Sequence, residues 1–510
     1  NFAGRTYQLT VDGAYNTIIN YGVNSSTNAT ASTNGGYVTF VKNGTGTLTL
    51  NGYNNSSTGP GGVALNVLTL NSGVVKLGHT QALGANGANA LGLVWSGYGA
   101  SMVINNGGTL DANAIAFTKT PIIILSGTGA AGTGGAIINS NSSSQAKVQG
   151  VYLLAGDTTI SDNSTGGLDI NANSTAVKSF NIKNYTLTLA GSNTAGNDVI
   201  TTSIIGSGNI VKKGLGTWVL NPGGASGTTY LDYNAGVYST QAAQAFANTN
   251  FFTGSVDIQQ GTLKLGQTAA FGSSNAAGYS SGVTVQSGAT LDLGGKVVAA
   301  PVALTISGTG AAGAGGALIN SSSTTANYSG LLTLSDHATI NSAVGGITIS
   351  NVGTITGDGK NLTIDGGFTT TINSIIGTGS GGITKNGTGT LNLAGANTFT
   401  GNIAVNAGRL QIGSNDALGT SSSPSITVAS GATLDLNSQT PTNANALTIS
   451  GTGAGSYGGA LVNSSAVASS TYSGSITLAG DTTISPSAAS LILSGRITGN
   501  YTLTVGGTAA

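Results

Sequence analysis

Residues 383–420 read ITKNGTGTLNLAGANTFTGNIAVNAGRLQIGSNDALGT. Short runs of alternating apolar and small polar residues are divided here by Gly, Asn and Ala, a pattern of brief half-buried strands with tight corners. In the segment GTLNLAG the alternation sends Leu391 and Leu393 to one face and Thr390 and Asn392 to the other.

The same phrases return elsewhere in the chain. KNGTGTLNLAG from Lys385 is matched by KNGTGTLTLNG from Lys42 and, in a looser form, by KGLGTWVLNPG from Lys213. AGRLQIGSNDALGT from Ala407 has counterparts from Ser72 and Gln260, and GATLDL ending at Leu436 has counterparts ending at Leu293 and Ala112. Glycine-rich phrases start at Ser126, Ser307 and Ser450. Related acidic phrases surround Asp157, Asp336 and Asp481. A closing phrase, TYQLTVDG from Thr6, recurs as NYTLTLAG, GKNLTIDGG and NYTLTVGG; the intervals from Leu9 to Leu187 and from Leu187 to Leu362 are nearly equal, and the one from Leu362 to Leu503 is shorter. The chain therefore divides into cycles at 1–183, 184–358 and 359–499, with residues 500–510 opening a fourth. Markers from Leu362 onward fall at Leu391, Ile412, Leu434, Ser450, Asp481 and Leu503, spacings of the size of one solenoid coil. The spacing predicts an all-β, elongated parallel β-solenoid of roughly 20 coils, on the order of 100 Å long, with ladders of Thr, Ser and Asn outside.

Composition agrees and excludes several classes. Charged residues are 6% of the 510, net charge is zero, and the fifteen acids are all Asp, so the materials of a charged surface helix are scarce. A neutral chain has no nucleic-acid footprint, and no run of 18 apolar residues offers a membrane-inserted span. Cysteine is absent, which removes disulfides and thiolate metal sites.

Residues 383–420 resemble the autotransporter-associated β-strand repeat of bacterial secreted passenger proteins. The resemblance implies a right-handed parallel β-helix, a secreted or cell-surface location, and a structural or adhesive role. It brings no catalytic residues with it.

Candidate chemistry is weak throughout. Asp157, Asp336 and Asp481 occupy turn positions where an Asx side chain caps its own backbone, and Asp111, Asp292 and Asp435 recur once per cycle, unlike a single glycan-cleaving pair. A polysaccharide-cleaving solenoid is a remote alternative. His79 and His337 fall in different phrases and read as exposed turn residues. Residues 357–367, GDGKNLTIDGG, resemble calcium-binding nonapeptide coils but lack the tandem GGxGxD pattern. Lys42, Lys213 and Lys385 read as a solvated edge. No catalytic, cofactor-binding or metal-binding residue emerges.

One insertion breaks the repeat. The stretch from Trp218 to Leu265 is more than twice as long as its counterpart from Leu391 to Ile412, and the extra segment, 223–252, carries Tyr230, Tyr233, Tyr238, Phe246, Phe251 and Phe252. Its STQAAQAFAN segment is able to form a short helix. These aromatics are either a cover folded back on the solenoid or a contact site for a glycan or cell surface, as in an adhesin. The chain opens on Asn1, which reads as the loss of a targeting segment or as part of a longer protein. Arg5, Tyr7 and Leu9 near the start occupy the same phase as Arg496, Tyr501 and Leu503 near the end. Neither end shows a polar cap, so end-to-end self-association into a surface fibre or stalk is the expectation.

Overall fold

The computed structural model describes residues 6–20, 37–51, 65–80, 101–117, 121–171, 179–223, 229–234, 237–242, 249–273, 278–420, 424–486 and 489–506. Among them the regular structure is β-strand apart from one 3-10 turn at Gly455–Tyr457. The chain forms two compact units, one made of residues 1–257 and 262–281, the other of 258–261 and 282–510.

Each unit is a parallel β-solenoid with three ladders. In the second unit one ladder runs through Leu362–Asp365, Ile383–Lys385, Ile403–Val405, Ile426–Val428 and Leu447–Gly451. Its register joins Leu362 to Ile383, Ile403, Ile426, Leu447, Ile476 and Ile497 in turn, with the longest excursion of chain between Leu447 and Ile476. A neighbouring ladder stacks Ile347–Ile349, Thr370–Ile372, Thr390–Leu393, Gly408–Ile412 and Ala432–Asp435. The first unit repeats the scheme: Tyr37–Lys42 and Leu65–Leu70 lie on one ladder, Thr47–Leu50 and Gly73–Leu77 on the next, and Leu168–Asn171 and Asp198–Ile200 on a third.

The period-two alternation decides what is inside. Gly408, Leu410 and Ile412 are buried while Arg409 and Gln411 are half-exposed, and Leu391, Leu393, Leu434 and Leu436 complete the same column. Each such aliphatic side chain contributes about 1.5–3 kcal/mol by leaving water. Thr390, expected to face out, is also covered, because the Arg409 guanidinium one coil on lies against its hydroxyl at 3.3 Å. Outer rows of like residues bond from coil to coil: Asn105 Nδ2 donates to Asn71 and Asn71 Nδ2 to Asn43, both at 2.7 Å.

Cycles and coils are not commensurate. Lys42 lies on the ladder of Val11 and Leu70, whereas Lys212, its counterpart one cycle later, lies on the ladder of Ile160 and Leu189. In the second unit Asp292 sits on the ladder that continues through Ile319 and Asn341, and Asp435 sits on the next one, above Gln411. A marker thus returns one face further round, because a cycle does not contain a whole number of coils.

Candidate functional site

The insertion forms an antiparallel hairpin, Thr229–Asn234 with Val237–Ala242, in which Tyr233 is paired with Tyr238 and Tyr230 with Gln241. The helix expected over its STQAAQAFAN segment does not form at residues 239–242, which are strand. Pairing with the facing strand satisfies their backbone groups in place of helical turns. The hairpin backbone lies beside Val151–Asp162 and Ser179–Lys183, so the segment folds back along earlier coils. Phe246 falls outside the described residues. Phe251–Phe252 rejoins the parallel wall opposite residues 205–206, with Phe251 half-buried and Phe252 wholly inside the core.

Of the candidate junction residues, Tyr7, Leu9 and Leu503 are ordinary ladder members, whereas Arg496 and Tyr501 lie between strands. Tyr7 and Leu9 pair with Val38 and Phe40, and Leu503 pairs with Thr482. The Arg496 carbonyl accepts from Ile476, and Tyr501 is exposed; Arg5 falls outside the described residues.

The lysine phrase is not a solvated edge. Lys42, Lys212 and Lys385 are no more than 2% exposed, and it is Lys212, not the exposed Lys213, that matches the other two. Alternation puts Lys385 on the inward face with Ile383, at a corner where backbone carbonyls converge. Its ammonium donates to the Gly387 carbonyl and, at 3.3 Å, to that of Ala407 one coil on. Lys42 donates to Gly44 and, at 3.5 Å, to Ser72. Lys212 reaches Lys213 and Gly214 at 2.8 and 2.7 Å. The glycine after each upper carbonyl, Gly73 or Gly408, has φ of +75° or +66°, and a Cβ on Gly408 would stand 2.3 Å from the Gly389 oxygen. Desolvation pushes Lys212 down to about 7 and Lys385 down to about 8, and it lowers Lys42; Asp198, Asp365 and Asp12 respectively oppose the shift. The signal was present in the sequence, since ITK and IVK carry the lysine in phase with the isoleucine.

The recurring acids are staples between coils. Asp435 is fully buried and accepts from the backbone of Asn437 and Ser464 at 3.0 Å, the Ser464 hydroxyl at 2.6 Å, and Arg409 and Gln411 at 3.1 Å. Asp292 accepts from Gly294 and Ser321 in the same way, and Asp111 from Asn113 and Ser140. Arg409 is sandwiched further by the ring of Tyr457, 4.4 Å away. Asp157 and Asp481 do not cap their own turns: each accepts from the next coil, at Thr186 and Thr502, both 2.8 Å. Asp336 does bond locally, to the His337 N–H, and its carboxyl is lowered mainly by that bond and by Lys360. His337 is tied in as well, its Nδ1 accepting from Asn361 at 2.9 Å. Spacing could not show these partners, because coils differ in length.

This is a β-solenoid whose coils are fastened by buried lysines and aspartates at fixed places in a repeat. The family model of the passenger-associated transport repeat matches residues 40–77, 244–265 and 383–412. Its first and third matches run from the strand that carries the buried lysine to the strand that opens with Gly73 or Gly408. The chain thus carries repeats of the autotransporter-passenger type in these three stretches. It is similar to the adhesin BmaC autotransporter of Brucella suis biovar 1 (strain 1330), with 46% identity over 94 residues, which is 18% of this chain and 3% of that relative's length. No solved structure matches the chain.

Proposed function

We propose that the chain is part of an extracellular, cell-surface protein in which the ladders serve as a structural scaffold and the 223–252 insertion serves as an adhesive contact for a glycan or a cell surface. The observation that carries this reading is the antiparallel hairpin set against a wall of parallel strands, in a chain that bears passenger repeats and resembles a protein named as an adhesin. A non-enzymatic role is supported by the recurring acids, since Asp111, Asp292 and Asp435 are engaged by backbone N–H donors in the same way in every cycle. The test is binding of the full chain to a glycan array and to intact cells, beside a form lacking residues 224–249. Binding by the first and its loss in the second is expected; equal binding by both would remove the insertion from the proposal.

A finer form of the proposal is end-to-end self-association that makes a fibre or stalk. Its support is the equal phase of Arg5, Tyr7 and Leu9 with Arg496, Tyr501 and Leu503, since like phases present like ladders for pairing. Electron microscopy across a concentration series distinguishes filaments from single particles.

A further inference from the structure

The core of the first unit holds two carboxyl groups, one coil apart, that have no cation bonded to them and lie within hydrogen-bonding reach of one another. Asp162 ends the strand Val151–Asp162, and Asp198 opens Asp198–Ile200 one coil later; both point inward, 0% and 1% exposed. One oxygen of each is well provided for. Asp162 Oδ1 accepts from the Ser164 N–H at 2.8 Å, and Asp198 Oδ1 accepts from the Leu168 N–H at 2.9 Å and Asn193 Nδ2 at 3.0 Å. The second oxygens, Oδ2 of Asp162 and Oδ2 of Asp198, are buried with no donor at all. Two buried carboxylates left in that state would each forfeit a hydrogen bond and repel the other. A proton on one of them satisfies both at once.

We propose that Asp162 and Asp198 hold a single proton between their Oδ2 atoms, a carboxylic acid donating to a carboxylate, and that this bond fastens the coil at residues 158–171 to the coil at residues 187–200. No covalent bond changes, and the proton comes from water.

The surrounding charges agree. Lys212 lies one coil beyond, close enough to feel Asp198, but its ammonium is committed to the carbonyls of Lys213 and Gly214. Asp169 is on the outward side of its strand, where it meets Lys147 at 3.7 Å and the Thr201 hydroxyl at 2.7 Å. Trp218 is the register partner of Asp198 on the next coil and brings no charge. Burial first, and then the charge and hydrogen bond of Asp162, push Asp198 up to about 9. A carboxyl raised above its unfolded value stabilises the fold in full below about pH 4, and that stabilisation is lost as pH rises through about 9. Lys212, depressed to about 7, has the opposite sense: its contribution is present above about pH 10 and is lost as pH falls through about 7. Between about pH 7 and 9 the two oppose each other, so wild-type stability alone would mask part of the proton's effect there.

The experiment therefore compares the full chain with Asp198→Asn and Asp162→Asn, whose amide N–H groups donate across the gap without a bound proton. Equilibrium denaturation between pH 5 and pH 9 is expected to give a ratio of unfolding constants, wild type over Asp198→Asn, that rises by up to about tenfold per pH unit, since one proton separates the two chains. Asp162→Asn should behave alike and stands in if the first variant fails to fold. Infrared spectra of the wild type at neutral pH should show the carbonyl stretch of a protonated carboxyl that fades as pH passes about 9 and is missing from both variants. A ratio flat with pH together with no protonated band overturns the proposal. So does stabilisation of the wild type, but not of Asp198→Asn, by added calcium, which would put a cation where the proton is placed.

Discussion

At the Lys385 corner, the residue after Lys385's partner in the coil below is Asp365, half-exposed, and Leu391 fills the core on the strand that follows the lysine. At the Lys212 corner the corresponding residues are Ala190 and Trp218. The indole Nε1–H of Trp218 donates to the Ala190 carbonyl at 2.8 Å, and the acid that balances Lys212 has moved into the core as Asp198. Both corners have the same carbonyl cradle. Their electrostatics differ, because the acid beside Lys385 stands partly in water, whereas the acid beside Lys212 lies in the core, is itself driven toward its neutral form and supports the ammonium less. Repetition fixes the geometry of a corner, and the local burial of its acid fixes the charge.

Five substitutions test that comparison. Gly408→Ala should be the most damaging, at about 3–5 kcal/mol, since a left-handed φ and a Cβ within 2.3 Å of a carbonyl act together. Gly431→Ala, with φ +81° but nothing within 4 Å, should lose only the backbone part, about 1 kcal/mol. Chemical denaturation of the two side by side separates strain from crowding, and equal losses would mean that the cradle is not tight.

Trp218→Leu makes the Lys212 corner resemble its counterpart. A loss of about 2–4 kcal/mol is expected from the cavity and the missing bond to Ala190. A shift in urea midpoint indistinguishable from wild type would show that the corner is already built to take leucine.

The smallest effects divide adjacent lysines. Lys212→Met leaves the carbonyls of Lys213 and Gly214 without their donor and should destabilise by about 1–3 kcal/mol. Lys213→Met, at an exposed site, should stay within about 0.5 kcal/mol. If thermal melts rank them the other way, the assignment of Lys212 as the repeat's lysine is wrong.

Much of the architecture was legible. Alternation in segments such as TLNL and RLQI, returning at coil-sized spacing, leaves parallel stacking as the arrangement that buries the leucines of these segments and pairs their strands. The lysines were misjudged by their chemical type: a cation suggests solvent, yet its phase with Ile210 and Ile383 placed it inside. The insertion was visible as an interruption, but its hairpin was not, because Ala and Gln suggest helix and only the facing strand supplies the competing bonds.

By itself, the sequence determined the class of fold, the inward and outward sets of each strand, and the places where the chain must turn. Tertiary structure alone decided which residues stand above one another. Steps between coils are unequal along a single ladder, short from Ile383 to Ile403 and long from Leu447 to Ile476. Asp162 and Asp198, or Arg409 and Asp435, therefore become neighbours by an accumulation of loop lengths that no local pattern encodes. Hydrophobic periodicity is a property of a few consecutive residues, whereas the pairing of buried charges depends on the whole path of chain between them.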